Sequence, residues 1–424
     1  MGEEEKIMAA GKKMVRVREF IMEKDLPAVE ELERLCQAGL SGDNGAGGGG
    51  GKKKKRGMSL YAEQIGDPFA RVRHAPDHVI LVAECGDEVV GVIKACVRMV
   101  TRGSSSSLRK TKTKTNKFVK AACLLGLRVS PSHRRLGIAT ELVRRAEEWC
   151  AARGAAYATM ATTASNAASL ALFQGRFKYA LFRKPRFLGH PVHRHRARVP
   201  RAHRVLQLPP PLAAAAYAAL LPAAAAAAAA PEFVPADLPA LLAHKLTRGT
   251  YLAVERSPGA GAPSSFAVLS VYDATRSLSF RVGGAQPLLR ASLAAARALD
   301  RRAPWLRVPS VPDVFRPFGA YLLYGLHMSG PAGAALLRTL CRHAHNVARN
   351  NPACAVVAAD VAPDDPAAAA VPHWRRFSCD EDVWCIKKIT SVAANGNAAP
   401  AAGDDDDWTT APPSSVLFVD PREF

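Results

Sequence analysis

The chain has 424 residues and a formal net charge of +21, enough length for two or three domains. That charge predicts attraction to polyanions, a class that includes nucleic acid, nucleotide cofactors and anionic membrane surfaces, and so selects no single partner. The nine cysteines form no Cys-x-x-Cys pair, and the amino end MGEEEKIMAAGKKM lacks an apolar signal core, so reduced thiols in the cytosol or nucleus are expected. Lys6 stands where a myristoylation signal needs Ser or Thr.

In chain order, MVRVREFI alternates as a strand, and Leu26, Val29, Leu32 and Leu35 follow at helical spacing. SGDNGAGGGGGKKKKRG reads as a flexible basic insertion. HVILVAEC and EVVGVIKACVRMV, joined at Gly86-Asp87, predict an antiparallel hairpin. After the polar loop TRGSSSSLRKTKTKTNK comes the apolar strand FVKAACLLGLRVS. Next is the amphipathic helix GIATELVRRAEEWCAARG, which Gly154 stops. AAYATMATT reads as a buried strand, SNAASLALFQGRF as a helix opened by Ser165 or Asn166, and KYALFRKPRFL as a closing strand. The order is mixed α/β, with one strand-turn-helix crossover where a ligand would sit.

That crossover is SPSHRRLGIATELV. The helix begins near Gly137, its first amides lack intrahelical partners, and its dipole is positive there, so phosphate oxygens are suited to it. Gly137 allows close approach of a ligand, Ala139 keeps the next turn small, and Arg134 and Arg135 add charged donors. The competing reading is a basic surface turn before an ordinary helix. A Walker loop would need Gly-Lys-Ser/Thr, and a dinucleotide fingerprint would need more glycines.

Arg134-x-x-Gly137-x-Ala139, preceded by Leu127-Arg128-Val129 and Pro131, resembles the acetyl-CoA pyrophosphate loop of the GNAT acetyltransferases, and NAASLALF resembles that family's following helix. The likeness covers roughly residues 14–187. It implies an acyl-CoA N-acyltransferase fold with acetyl-CoA as co-substrate and no metal. The implied cofactor contacts are Leu127, Arg128, Val129, Arg134, Arg135, Leu136, Gly137, Ile138, Ala139, Thr140, Asn166 and Phe173. GDPFARVRHAPDHVILVAE, LGLRVSPSHRRLGIATELV, LFQGRFKY and the carboxyl end SVLFVDPREF resemble the plant Hookless-type N-acetyltransferases over almost the whole chain. That resemblance implies N-acetyl transfer to a protein amine, such as a lysine of a nuclear protein, in plant growth control linked to hormone response.

The chain departs from the family's usual chemistry. Cys123 stands where many relatives carry a base glutamate, and Phe173 where many carry an acid tyrosine, with Tyr179 as a substitute or a core residue. The catalytic residues are therefore left unassigned, and a catalytically weak or inactive regulator, or a nucleic-acid-associated protein, is the rival reading. Glu84, Glu30, Glu31 and Glu33 could attract a lysine-bearing substrate or simply be solvated. The run at residues 52–56, KKKKR, reads as a nuclear import signal or a solubilising loop. The protein is expected in the nucleus, with the cytoplasm as a second compartment. The basic loops offer chromatin or nucleic-acid association without aromatics for base stacking. His190, His193 and His195 have metal-ligand types but no acidic or Cys partner nearby in sequence, so a solvated basic strand is expected there.

LYGLHMSGPAGAALLRTLCRHAHNVARNNPACAVVAADV repeats the first crossover in a worn form. Gly325-Leu326 matches Gly126-Leu127, and Gly333 and Gly137 each precede a strand start by 20 residues. The expected organisation is a GNAT domain at 14–187, a basic and Ala/Pro-rich linker at 188–231, a degenerate GNAT-like domain at 232–390 and a flexible acidic tail with an apolar end at 391–424. An unrelated second α/β domain is the alternative. Having lost both arginines, the second loop should bind CoA poorly. The alanine-dominated run PPPLAAAAYAALLPAAAAAAAAP is too weakly apolar for lipid, and no membrane span is expected. The oligomeric state is not legible.

Overall fold

The computed structural model describes residues 8–10, 13–36, 38–39, 59–103, 118–226, 231–256, 263–308, 310–378, 382–389 and 407–423. The first half runs β1 (Met8–Ala10), β2 (Lys13–Glu19), α1 (Met22–Leu35), β3 (Ala38–Gly39), β4 (Ser59–Gln64), β5 (Asp77–Cys85), β6 (Glu88–Arg102) and β7 (Phe118–Val129). It continues with α2 (Ile138–Ala152), β8 (Tyr157–Thr163), α3 (Ala167–Leu170) and β9 (Ala180–Arg183). The second half has β10 (Arg186–Pro191), β11 (His203–Leu208), α4 (Pro210–Ala226), β12 (Glu232–Pro235), α5 (Leu238–Leu242), β13 (Thr247–Glu255), β14 (Phe266–Asp273) and β15 (Leu278–Gly283). It closes with α6 (Pro287–Arg302), β16 (Gly319–Ser329), α7 (Gly333–Ala348), β17 (Cys354–Val361) and β18 (Asp382–Lys388).

The predicted hairpin forms as β5–β6, turning through Gly86 at φ +67°. Both strands are buried over most of their length, which is why they read as apolar runs rather than as clean alternation. α2 lies on β6 at Gly91, where a Cβ would stand 2.9 Å from Leu142 Cδ1 and 3.0 Å from Ile138 Cγ2. Glycine is needed there for the helix to sit this close. Ile138, Leu142, Ala146 and Cys150 form the buried stripe of α2.

The first sheet has the order β1-β2-β5-β6-β7-β8-β18-β9, with β12 paired to β6, and the second has β10-β17-β16-β14-β13-β11. Each sheet has a central parallel pair, β7–β8 and β16–β17, among antiparallel neighbours. The second unit thus repeats the first: a strand, a tight loop, a helix and a parallel strand. A third, three-stranded sheet pairs β4 of the first half with β15 of the second.

Several sequence boundaries give way to this topology. KYALFRKPRFL divides into β9 in the first sheet and β10 in the second. β18, expected to close the second unit, instead inserts between β8 and β9 of the first sheet. The two units therefore exchange strands. Apolar patterning identifies a strand but not its partner, so a boundary drawn along the chain cannot show this. Residues 188–231 are no mere linker either: β11 edges the second sheet, and α4 buries Ala213 and Tyr217 in its core. The His-rich stretch is likewise tied down, with Asn346 bonding the Ala197 backbone and Asp300 pairing with His195 at 2.5 Å.

Residues 391–406 and the 52–56 run lie outside the described residues, but the end of the chain is packed rather than loose. Trp408, Leu417 and Phe418 are buried, and Glu423 pairs with Arg98 at 2.5 Å. Arg71 donates to the Glu423 carbonyl at 2.6 Å, and Arg422 reaches Asp237 at 2.7 Å. Burial alone would raise the Asp420 carboxyl, but Arg422 and Arg98 outweigh it and hold Asp420 well below the usual carboxylate range.

Candidate active site

β7 and β8 pair in parallel only where residues 121–124 face residues 157–160. β7 continues to Val129 along β6, turning through a bulge at Gly126 with φ +60°, opposite the register shift between Val92 and Lys94. Beyond that point the edge of β7 turned toward β8 has no strand partner among the described residues. A V-shaped opening results, with the backbone of residues 125–129 along one side lacking a β8 strand to pair with. Backbone groups left without a partner require a ligand or water. Leu127, Arg128 and Val129 are on this edge and are half-buried. The Arg128 side chain turns back to the Leu127 carbonyl at 3.1 Å.

At the mouth of the V the Ser130 amide bonds Val90 O at 2.8 Å, and Pro131–His133 makes one 3-10 turn. Arg135 and Gly137 then take the left-handed conformation, at φ +66° and +82°. Gly137 caps α2 without a side chain, and the first helical bond is Glu141 N to Gly137 O at 3.0 Å. The amides of Gly137, Ile138, Ala139 and Thr140 are left without acceptors among the described residues, at the positive end of a 15-residue helix. Arg134 and Arg135 are exposed, and neither side chain has an ion pair or hydrogen bond among the described residues. Leu136 is 38% exposed, while the Ile138 side chain is buried under α2, so Ile138 can offer a ligand only its amide.

Asn166 follows the diverging end of β8. It caps α3 by accepting from Ser169 N at 3.2 Å, and it donates to Thr162 Oγ1 at 3.1 Å. Phe173 is in the core, edge-on to Tyr179 with 5.2 Å between centroids, and forms part of the wall behind the site. Tyr179 is also core, and burial pushes its hydroxyl far above the usual range. Cys123 belongs to the opposite face, near Leu125 and Cys96, where burial raises its thiol well above an ordinary value. Neither residue offers an accessible acid or base.

The bulge has a titratable neighbour that the sequence reading passed over. Lys94 on β6 is 1% exposed, and its Cδ and Cε lie 3.6 and 3.7 Å from where a Gly126 Cβ would stand. Its Nζ donates to Gln64 Oε1 at 2.5 Å and meets Glu33 Oε1 at 3.3 Å. Burial lowers this amine to about 8 against the pull of Glu33. The only hint in the sequence was a lysine inside the apolar run VVGVIKACV, easily taken for a solvated interruption. Of the acidic residues weighed as substrate attractors, Glu33 faces Lys94, Glu31 is paired with Arg34, and Glu84 is clamped by Arg18 and Lys24. Glu30 remains on the exposed face of α1.

An antiparallel hairpin, a splayed parallel pair and an uncapped helix start at the mouth of the splay together define an acyl-CoA N-acyltransferase fold. Residues 54–179 match the model of the Acetyltransferase (GNAT) family. The chain is 66% identical to acetyl transferase GW6a of Oryza sativa subsp. japonica, over 97% of this chain and 98% of that one. It is 39% identical to probable N-acetyltransferase HLS1 of Arabidopsis thaliana, over 97% and 100%. The chain belongs to the GNAT acetyltransferases, in their plant Hookless-type branch. The GCN5-related glucosamine N-acetyltransferase region of a fungal multi-domain GH3 β-N-acetylglucosaminidase shares the fold. It has a TM-score of 0.52 at 12% identity, covering 89% of this chain and 39% of that one. No helix among the described residues is long and apolar enough to cross a membrane.

Proposed function

We propose that the first unit transfers an acetyl group from acetyl-CoA to an amine of a protein, with lysine of a nuclear protein as the acceptor class. The observation that carries this reading is the unpaired edge of β7 leading to the four free amides of residues 137–140 beside Arg134 and Arg135. The amides and guanidiniums suit a pyrophosphate, and the strand edge suits the amide groups of a pantetheine arm. Bound acetyl-CoA would supply an activated thioester.

An acceptor amine reaches the V as an ammonium ion and must lose a proton before it can attack. Lys94, with an amine lowered to about 8 and Glu33 beside it, is our candidate to take that proton, directly or through water. Glu33 then steadies the ammonium formed on Lys94. The C–N bond forms, the attacking nitrogen gives up its second proton to solvent, the C–S bond breaks, and the leaving thiolate takes up a proton from solvent. The competing reading is a regulator that keeps the fold without turnover, and the observation in its favour is Cys123 in place of a carboxylate. Incubating the full chain with labelled acetyl-CoA and a histone peptide library separates the two. Label should appear on lysine for the wild type and be lost in Gly137→Trp. No transfer to any peptide, with CoA still bound, favours the regulator.

We also propose that the protein acts in the nucleus, with the basic run at residues 52–56 contributing to import and plant growth control linked to hormone response as its setting. Changing those five residues to glutamine leaves the chain strongly basic, so general polyanion attraction should survive while nuclear accumulation falls. Unchanged accumulation of the tagged variant would turn attention to the Arg-rich stretch at 194–204.

A further inference from the structure

A cavity of about 480 Å³ lies on the α7 face of the second sheet. Leu323 of β16 and Val357 of β17 form its floor, and Cys341 of α7 one wall. The opposite wall is the alanine-rich turn around Ala369 and Ala370. In the first unit the matching space beside α2 is filled, because the π-helical segment Ala171–Arg176 after α3 packs Phe173, with Phe177 and Tyr179, into the core. In the second unit the chain leaving β17 makes only the 3-10 turn Pro366–Ala369, and its small side chains leave the space open. The volume is within the range of small-molecule sites.

The polar groups around this cavity share one sign. Arg338 and Arg342, one helical turn apart on α7, stand at its rim with Arg307. All three are exposed, and none makes a side-chain ion pair or hydrogen bond among the described residues. No carboxylate among the described residues lines the cavity, and nearby Asp300 is already taken by His195 and Ser310, each at 2.5 Å. Deeper in, His345 is 4% exposed, and its Nε2 accepts the His193 amide at 2.9 Å. The proton of the neutral ring is therefore on Nδ1, a buried donor with no hydrogen-bond partner of good geometry among the described residues. Burial favours this neutral form by lowering the His345 imidazole below its ordinary value. His190, His193 and His345 pack ring against ring at 5.5–5.9 Å, and with His345 Nε2 already engaged they do not converge on a cation.

We propose that this cavity is a binding site for a small organic anion. The anionic group rests on Arg338 and Arg342, the apolar body lies against Leu323 and Val357, and an acceptor atom meets His345 Nδ1. Such a site is separate from the V of the first unit, so the two should fill independently.

The test uses the full chain with CoA at saturation and follows the fluorescence of 1-naphthyl phosphate. One equivalent should bind, with inorganic phosphate and 1-naphthol each binding at least tenfold more weakly, since each supplies only part of the recognised chemistry. Arg338→Gln with Arg342→Gln should weaken the naphthyl phosphate at least tenfold. Ala369→Trp, at an exposed position on the wall, should abolish its binding. Unchanged melting curves and CoA binding in the variants show that the fold and the first unit are intact. If Ala369→Trp misfolds, the paired arginine variant decides alone. The proposal is overturned if no probe binds, if CoA displaces the probe, if phosphate or naphthol binds as tightly as the ester, or if the arginine variant binds like the parent.

Discussion

In the first unit Gly126 turns at φ +60° beside the stem of Lys94; in the second, Gly325 turns at φ +61° beside Tyr217. Both bulges end a short parallel pairing, and both strands run on to a loop and a helix. The difference is in what surrounds them. The Tyr217 hydroxyl donates to the Gly325 carbonyl at 2.7 Å and would lie 2.5 Å from any Cβ placed there. At the helix start, Ser265 Oγ accepts from Ala332 N at 3.1 Å, and Gly333 N bonds Gly330 O at 3.0 Å. The corresponding amides of α2 have no acceptor among the described residues, and Arg134 and Arg135 are exposed in the loop just before them. One backbone plan has thus been left open at all four amides in one unit and satisfied internally at two of the four in the other. A fold repeat is no evidence for a site repeat.

The largest expected effect comes from closing the open unit. Gly137→Trp puts a bulky residue at a left-handed position and into the anion site, so CoA binding should fall below calorimetric detection while the melting temperature stays close to the parent. Wild-type affinity in this variant would remove the loop from the site. Next comes Lys94→Met, which should lower kcat by roughly a hundredfold or more if Lys94 takes the proton, with CoA affinity unchanged. Turnover that needs the free amine should rise with pH through about 8 and level off above, and the variant should lose that step. Stability follows the same sign. The unfolded chain holds the Lys94 proton up to the ordinary value of 10.5, so wild-type stability rises with pH between about 8 and 10.5. A pH profile shared by wild type and variant would make Lys94 structural.

A smaller loss is expected from Arg134→Ala. Removing one exposed charged donor should weaken CoA by about 1–3 kcal/mol, roughly fivefold to 150-fold, with the loss growing smaller at high salt. The matching test on the other unit is stoichiometry. Titration should give one CoA per chain, and two would show that the second loop binds despite its internal hydrogen bonds.

The strand, turn and helix of the first site were legible because their signals are local: an apolar strand, Pro131, Gly137 and an amphipathic stripe in α2. Gly325 was legible as the partner of Gly126 for the same reason, since a bulge glycine leaves a mark in its own neighbourhood. The strand exchange was not, because β10 and β18 carry ordinary strand patterns and only tertiary packing assigns their sheets. Lys94 was hidden by type, its partners Glu33 and Gln64 coming from α1 and β4. The tail read as flexible because its partners are distant in sequence: Arg98 meets Asp420 across 322 residues, and Arg71 donates to the Glu423 carbonyl across 352. Phe173 was assigned to the cofactor by resemblance, but its burial places it in the wall behind.

The smallest effect separates internal closure from mere loss of arginines. Tyr217→Phe keeps the ring of α4 in the core and removes only the hydroxyl, leaving the Gly325 carbonyl without that donor. The expected cost is about 0.5–1.5 kcal/mol of stability, the range for one neutral hydrogen bond, and chemical denaturation of the full chain can read it. CoA stoichiometry should stay at one, since Ser265 and the Gly330 carbonyl still occupy amides at the start of α7. Adding Ser265→Ala frees the Ala332 amide and should still give one CoA, because the loop leading into α7, Ser329-Gly330-Pro331-Ala332, carries no arginine. A second CoA in the double variant would show that the hydroxyls alone kept the second unit closed. Its absence assigns the decisive difference between the units to Arg134 and Arg135.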